Sequence, residues 1–231
     1  MGTVAGSTLS NLALTLYHMP PTRSTRAVWL AHELGICDAI KLKAINVFAG
    51  EHLSSEFRQL NPMAAIPLLR IHDKRTNQTV NMTESGAICS FLLQLVPHNR
   101  LQPAQNDVLA MATFTRFCWF APGSMDPLLW TIRRHEELLP GSHRDSRSAQ
   151  RARTEFRQKV VRVLDAVLRE WEYVCEPYFM GFSCADVLIG YALWWADRYQ
   201  LLEGSTTLVA YLGRLREREA FRKAIARVGS L

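Results

Sequence analysis

Asn61-Pro62-Met63-Ala64-Ala65-Ile66-Pro67-Leu68-Leu69-Arg70-Ile71 is the stretch on which the reading of this chain turns. Two prolines bracket a short apolar turn. Proline has no N–H to give a strand ladder, so it belongs at a strand's first residue, an edge or a bulge. Pro67 followed by Leu68-Leu69-Arg70-Ile71 therefore predicts a strand that begins directly after a forced turn. The backbone of Ile66, just before it, is left facing outward, and such a segment can dock an extended peptide by strand addition. The Ile66–Pro67 bond is a candidate for the cis form, which marks tight, specified turns. An ordinary loop with two prolines has the same local sequence, so the neighbouring segments decide.

On the N-terminal side, Leu12 to Tyr17 is apolar and β-compatible, a buried strand. The loop His18-Met19-Pro20-Pro21-Thr22 follows. From Arg23 the pattern is helical, with Ala27, Val28, Leu30, Ala31 and Leu34 on one face and Gly35 as the stop. Lys41 to Val47 alternates polar and apolar, a second strand, and two strands joined by a helix form a parallel βαβ unit. On the C-terminal side, Asp73 to Gln78 reads as a hairpin link into a short strand, Thr79 to Met82. Thr83-Glu84-Ser85-Gly86 then opens a helix. The first unit is thus βαβ followed by ββα, over residues 11–96, with a loose tail at 1–10.

Residues 97–104 read as a linker, and 105–231 as an all-helical domain. Asp107 to Phe120 and Asp126 to Glu137 form one long helix bent at Ala121-Pro122-Gly123. Arg153 to Val174 is amphipathic, with Phe156, Val160, Val163, Leu164, Val167, Leu168 and Trp171 on its apolar side. Ser183 to Asp197 is apolar on nearly all sides and is expected to be the central buried helix. Leu208 to Leu215 and Glu219 to Val228 finish the bundle.

Composition narrows the class. The chain has 231 residues, 48% hydrophobic and 21% charged, enough for a sizeable core of ordinary soluble type. The formal net charge of +6 is scattered at helical spacings, which reads as a solvated surface rather than a nucleic-acid stripe. Five cysteines without framework spacing or a CxxC pair point to reduced thiols and a cytoplasmic protein. No apolar run is long enough for a bilayer, residues 1–11 do not form a signal peptide, and no metal site is expected.

Four features, in order and at the family's spacing, resemble a cytosolic glutathione S-transferase over nearly the whole chain. Asn61-Pro62 with Ile66-Pro67 is similar to the family's turn before its cis proline. Glu84-Ser85 before an apolar helix is similar to its Glu/Gln-Ser motif. Thr22-Arg23-Ser24-Thr25-Arg26 resembles its Ser-Arg-Ser-x-Arg stretch, and Ser183-Cys184-Ala185-Asp186 its capping motif. Trp119 to Leu129 resembles the fungal and bacterial branches of the Ser/Thr type. The resemblance implies a glutathione transferase fold: a thioredoxin-like α/β N-terminal domain plus an all-α C-terminal helical bundle.

It also implies a site. Glutathione would pair its cysteinyl backbone with Ile66, held by Pro67. Its γ-glutamyl end would meet Ser85 and Glu84, which also suit plain capping of the helix. His52 would lie near the glycine carboxylate, or is an exposed loop histidine. The thiol is activated by a hydroxyl donor, where the family often has serine. Here Thr22 stands at that place, a departure that keeps the donor but adds a methyl, and Ser24 or the N–H of Arg23 are substitutes. Arg26 reads as structural. Met19, Met111, Thr115, Cys118 and Trp119 are candidate walls for a small-molecule electrophile between the domains, or are core.

The implied activity is thiolate attack on an electrophilic, hydrophobic molecule by a homodimer, with no nucleic-acid or membrane partner. The alternatives are a glutathione-dependent cis–trans isomerase in detoxification or secondary metabolism, and a non-catalytic binding module. The Asn61-Pro62-Met63 context is similar to the branch acting on maleylacetoacetate (zeta-like features). That branch usually carries Ser-Ser-Cys where this chain has Pro21-Thr22-Arg23.

Overall fold

The computed structural model describes residues 9–226. The expected loose tail at 1–10 falls mostly outside them, and Leu9 and Ser10 are helical. The described chain divides into two units, residues 9–101 with 218–226, and Gln102–Glu217.

In the first unit, β1 (Leu12–His18), β2 (Ile40–Ala44), β3 (Leu68–Asp73) and β4 (Gln78–Met82) form one sheet in the order β2-β1-β3-β4. β1 runs parallel to β2 and antiparallel to β3, and β3–β4 is the expected antiparallel hairpin. Helix α1 (Thr25–Glu33) supplies the parallel crossover. It ends as the glycine predicts: Gly35 sits at φ 68°, its N–H donates to His32 O and that of Ile36 to Ala31 O. A short α2 (Ser55–Leu60) and α3 (Ser85–Leu95) complete the βαβ–ββα order.

β2 is shorter than expected, ending at Ala44 rather than Val47. Asn46 is the reason: its Oδ1 accepts from Ala49 N–H and its own N–H goes to Glu51 Oε2, so the backbone turns. Ile45 and Val47 instead join a cluster of Tyr17, Phe57 and Leu68 beneath the opening stretch, with Ile66 and Leu60 packed against it. Tyr17 and Phe57 meet edge to face at 5.6 Å.

The second unit is helical. α4 (Val108–Phe120) passes through a π-helical stretch, Ala121–Met125, into α5 (Asp126–Arg133). The break falls where the sequence placed it, since Pro122 has no N–H for the helical ladder. The amphipathic helix starts earlier and stops earlier than read. It runs from α6 (Ser146–Glu155) through a π-helical stretch into α7 (Arg162–Leu168). Asp145 starts it by accepting from Arg147 N–H and Ser148 Oγ. It cannot continue to Val174, because Val174 N–H is taken by Asp186 and Glu172 N–H by Glu176. Trp171 consequently lies beyond the helix, partly exposed. Phe156, Val160, Leu164 and Leu168 form the buried stripe at four-residue spacing.

α8 (Cys184–Asp197) is the buried centre of this unit. Its capping box forms, and Asp186 does more than cap. Its carboxylate accepts from Ser183 N–H and Oγ, Val174 N–H and Tyr211 Oη at 2.7–3.1 Å. α9 (Thr206–Glu217) closes the unit.

The last helix, α10 (Glu219–Ile225), does not finish the bundle. It packs on α1 of the first unit, where Phe221 meets Trp29 edge to face at 4.8 Å. Arg218 forks onto the Glu33 carboxylate at 2.7 and 2.8 Å. The boundary at 105–231 is corrected accordingly: the helical unit ends at Glu217 and the chain returns.

Candidate active site

Strand register gathers the candidate residues of the first unit. His18, the last residue of β1, pairs with Ala44, the last of β2. Tyr17 pairs with Leu68, the first of β3, and Leu69 with Met82, the last of β4. The loop after β1, the loop after β2, the turn before β3 and the N-terminus of α3 therefore leave one end of one sheet. These segments carry Thr22 and Ser24, His52, Ile66 and Pro67, and Glu84 and Ser85 respectively.

The opening stretch is a built turn. Asn61, buried, ties it internally: its Nδ2 donates to Ala65 O at 2.7 Å and its Oδ1 accepts from Met63 N–H. Ala64 takes φ 50°, and the Ile66–Pro67 bond is cis. No hydrogen bond engages the Ile66 N–H or C=O among the described residues. Partial burial of an unpaired backbone donor and acceptor is unfavourable unless water or a ligand completes them. This role of Asn61 is absent from the expectations above. An Asn two residues before a turn N–H is the signal that would have found it.

After β1, three side chains meet. Ser24 Oγ lies 2.6 Å from His18 Nδ1 and 2.7 Å from Thr22 Oγ1. It also accepts from Met19 N–H at 3.2 Å. Ser24 is at the N-cap position of α1, yet its hydroxyl caps nothing. Ser24 is 0% exposed and His18 2%, whereas Thr22 keeps part of its surface. Burial lowers the His18 pKa to about 4, so the ring is neutral near pH 7. The Pro20–Pro21 bond in this loop is also cis.

At the start of α3, Ser85 is buried and its Oγ accepts from Arg26 Nη1 at 3.3 Å, leaving the hydroxyl hydrogen to donate elsewhere. Arg26 is itself fully buried, so a positive charge stands behind the helix N-terminus, a setting that favours an anion. This link was not legible in the sequence. Glu84, exposed, holds φ 67° and ψ 114°, a conformation rare for a side-chain-bearing residue. His52 sits in the turn Glu51–Leu53 with an unpartnered Nδ1, and burial, then Arg58, lower its pKa.

The wall candidates divide. Met19 is buried, and Val47 N–H points at its Sδ at 3.4 Å, so the structure gives it a packing role. Met111, Thr115, Cys118 and Trp119 share one face of α4, at spacings of three, four and seven. Ala110, Phe114 and Phe117 face the core instead. Trp119 is 64% exposed and Thr115 exposed. The five cysteines are all free thiols. No described helix is long and apolar enough to cross a membrane.

The glutathione S-transferase N-terminal domain family matches residues 22–95. Glutathione S-transferase D7 of Anopheles gambiae is 43% identical over 79 residues, 34% of this chain and 33% of its own length. Glutathione S-transferase 1 of Dianthus caryophyllus is 38% identical over 61 residues, 26% of this chain and 25% of its own. The chain thus spans about a third or less of the curated relatives it matches. A glutathione transferase from Pseudomonas putida, solved with glutathione disulfide, shares the fold at TM-score 0.78 and 20% identity, covering 94% of this chain and 92% of that one. Ure2p in complex with glutathione does so at TM-score 0.75 and 19% identity, covering 93% of each chain.

Proposed function

We propose that this chain, whose residues 22–95 match the glutathione S-transferase N-terminal domain family, binds glutathione at the shared end of its sheet and activates the thiol for transfer. The single observation that carries this reading is the register: it brings an unpaired Ile66 backbone, a hydroxyl at Thr22 and an anion-favouring helix start at Ser85 to one sheet end.

Those groups suit a γ-glutamyl tripeptide. The Ile66 N–H and C=O pair with its cysteinyl backbone as an added strand. Ser85, with its free hydroxyl hydrogen, its N–H and the buried Arg26 behind it, takes the γ-glutamyl carboxylate, while Glu84 accepts from the ammonium. His52, in the loop after β2, serves the glycine carboxylate. Thr22 donates to sulfur. Ser24 has no exposed surface with which to touch a ligand, which supports Thr22 over Ser24 as the hydroxyl donor.

A hydroxyl donor near the N-terminus of α1 stabilises a thiolate relative to a thiol, because both the hydrogen bond and the helix dipole favour the anion. Glutathione supplies the nucleophile. Its sulfur bonds to an electrophilic carbon, and the electron pair leaves with the departing group or moves into a conjugated system. The test is retention on immobilised glutathione with release by free glutathione, followed by product mass. A mass gain of one glutathione supports transfer, unchanged mass with altered geometry supports isomerisation, and no retention at millimolar glutathione rejects both.

A further inference from the structure

We propose that His18 is a positioning residue: as its Nδ1–H tautomer it donates to Ser24 Oγ, Ser24 donates onward to Thr22 Oγ1, and the Thr22 hydrogen is thereby directed outward to the sulfur. This deepens the transferase reading and rests on it.

Ser24 Oγ has one hydrogen and two lone pairs. One lone pair is taken by Met19 N–H, which can only donate. Two neighbours remain at short range, His18 Nδ1 at 2.6 Å and Thr22 Oγ1 at 2.7 Å; the Met19 carbonyl, at 3.3 Å, takes no lone pair and is the longer acceptor for the same hydrogen. They divide the remaining lone pair and the hydrogen between them, in one of two ways.

If His18 carries its hydrogen on Nε2, Ser24 must donate to Nδ1 and accept from Thr22. The Thr22 hydrogen is then spent inward. Only lone pairs face the ligand, and these favour a protonated thiol over a thiolate. If His18 carries its hydrogen on Nδ1, Ser24 accepts from it and donates to Thr22. Thr22 Oγ1 also lies 3.3 Å from the Ser24 N–H, which fills its second lone pair. Its own hydrogen is then left for an anion outside.

The far side of the ring selects between these arrangements. His18 Nε2 is buried and has no partner among the described residues. With the hydrogen on Nε2 it would be an orphaned buried N–H, the rarer and costlier defect. With the hydrogen on Nδ1 it is an unused lone pair. Because burial keeps the ring neutral, only one nitrogen is protonated and the choice is binary. The chain therefore runs outward, from a histidine that touches no ligand to a threonine that does.

Two measurements test this. Side-chain 15N NMR of the ligand-free wild-type protein near neutral pH should show His18 Nδ1 protonated and Nε2 unprotonated, and the reverse tautomer overturns the proposal. The apparent pKa of bound glutathione, read from thiolate ultraviolet absorbance, should rise by roughly one unit in His18→Leu. It should return towards the wild-type value in His18→Asn, whose amide N–H takes the Nδ1 place. Below the bound-thiol pKa the KM for glutathione should move less than about twofold, because only the thiolate form loses the interaction. Equal thiol pKa values in both variants overturn the proposal. If His18→Leu does not fold, the tautomer decides alone. Should the wild-type protein fail to bind glutathione, the transferase reading falls while the tautomer measurement still judges the hydrogen-bond direction.

Discussion

Acid should destabilise the first unit through one buried ring. His18 has its pKa lowered from 6.5 to about 4 by burial alone. Between those values the unfolded chain binds a proton that the folded chain refuses, so stability falls as pH drops through that window. The full shift corresponds to about 3 kcal/mol, and between about pH 7.5 and about pH 5 the loss is about 2 kcal/mol. Other groups titrate there too, so the informative quantity is a difference. Urea unfolding of wild type and His18→Asn at both pH values isolates the ring, because asparagine does not titrate. The wild type should lose about 2 kcal/mol more than the variant on acidification, with m unchanged. A difference that stays constant within about 0.5 kcal/mol across the two pH values would refute a neutral buried His18 and weaken the hydrogen-bond chain built on it.

Replacing Asp186 by Ala removes the acceptor of four hydrogen bonds and strands Tyr211 Oη and two backbone N–H groups in the core. The cost should be about 3–5 kcal/mol, well above a simple cap, and an unchanged melting temperature would show that this carboxylate is not the centre of the helical unit. Thr22→Val should raise the bound-thiol pKa by roughly 1–2 units, more than Ser24→Ala does. The opposite order in thiolate titrations would return the donor role to Ser24. Glu84→Gly should make the protein about 0.5–1 kcal/mol more stable by relieving the φ of 67° while weakening glutathione retention, and chemical denaturation beside affinity retention reads both effects.

The parts that were legible in the sequence are those written locally. Pro67 fixed the start of β3 and Pro122 the break after α4, because proline removes conformations that no packing can restore, and Gly35 fixed the end of α1, because glycine takes its φ of 68° without strain. The matched family and the likeness in fold agree with the α/β-then-helical order read from the residues. What escaped depends on partners far along the chain. α10 looks like any amphipathic helix, and contacts such as the Arg218–Glu33 pair and the Trp29–Phe221 rings place it with the first unit. The early end of α7 was hidden because the carboxylates claiming its continuation, Asp186 and Glu176, lie downstream. At the candidate site, residue types were legible and directions were not. Thr22 and Ser24 look equivalent as hydroxyls, and burial separates them. His18 read as a loop residue beside two prolines, because nothing in its spacing shows that strand pairing turns it toward Ser24.

Ile66, Ser85 and Thr22 are proposed to form one binding site for glutathione. Isothermal titration of the wild-type protein with glutathione, repeated on Thr22→Val, tests it most directly. One glutathione should bind per chain, and the variant should show roughly unchanged affinity for S-methyl-glutathione but weakened binding of the thiolate form at alkaline pH. Absence of binding at millimolar glutathione, or binding whose pH dependence ignores Thr22, would contradict it.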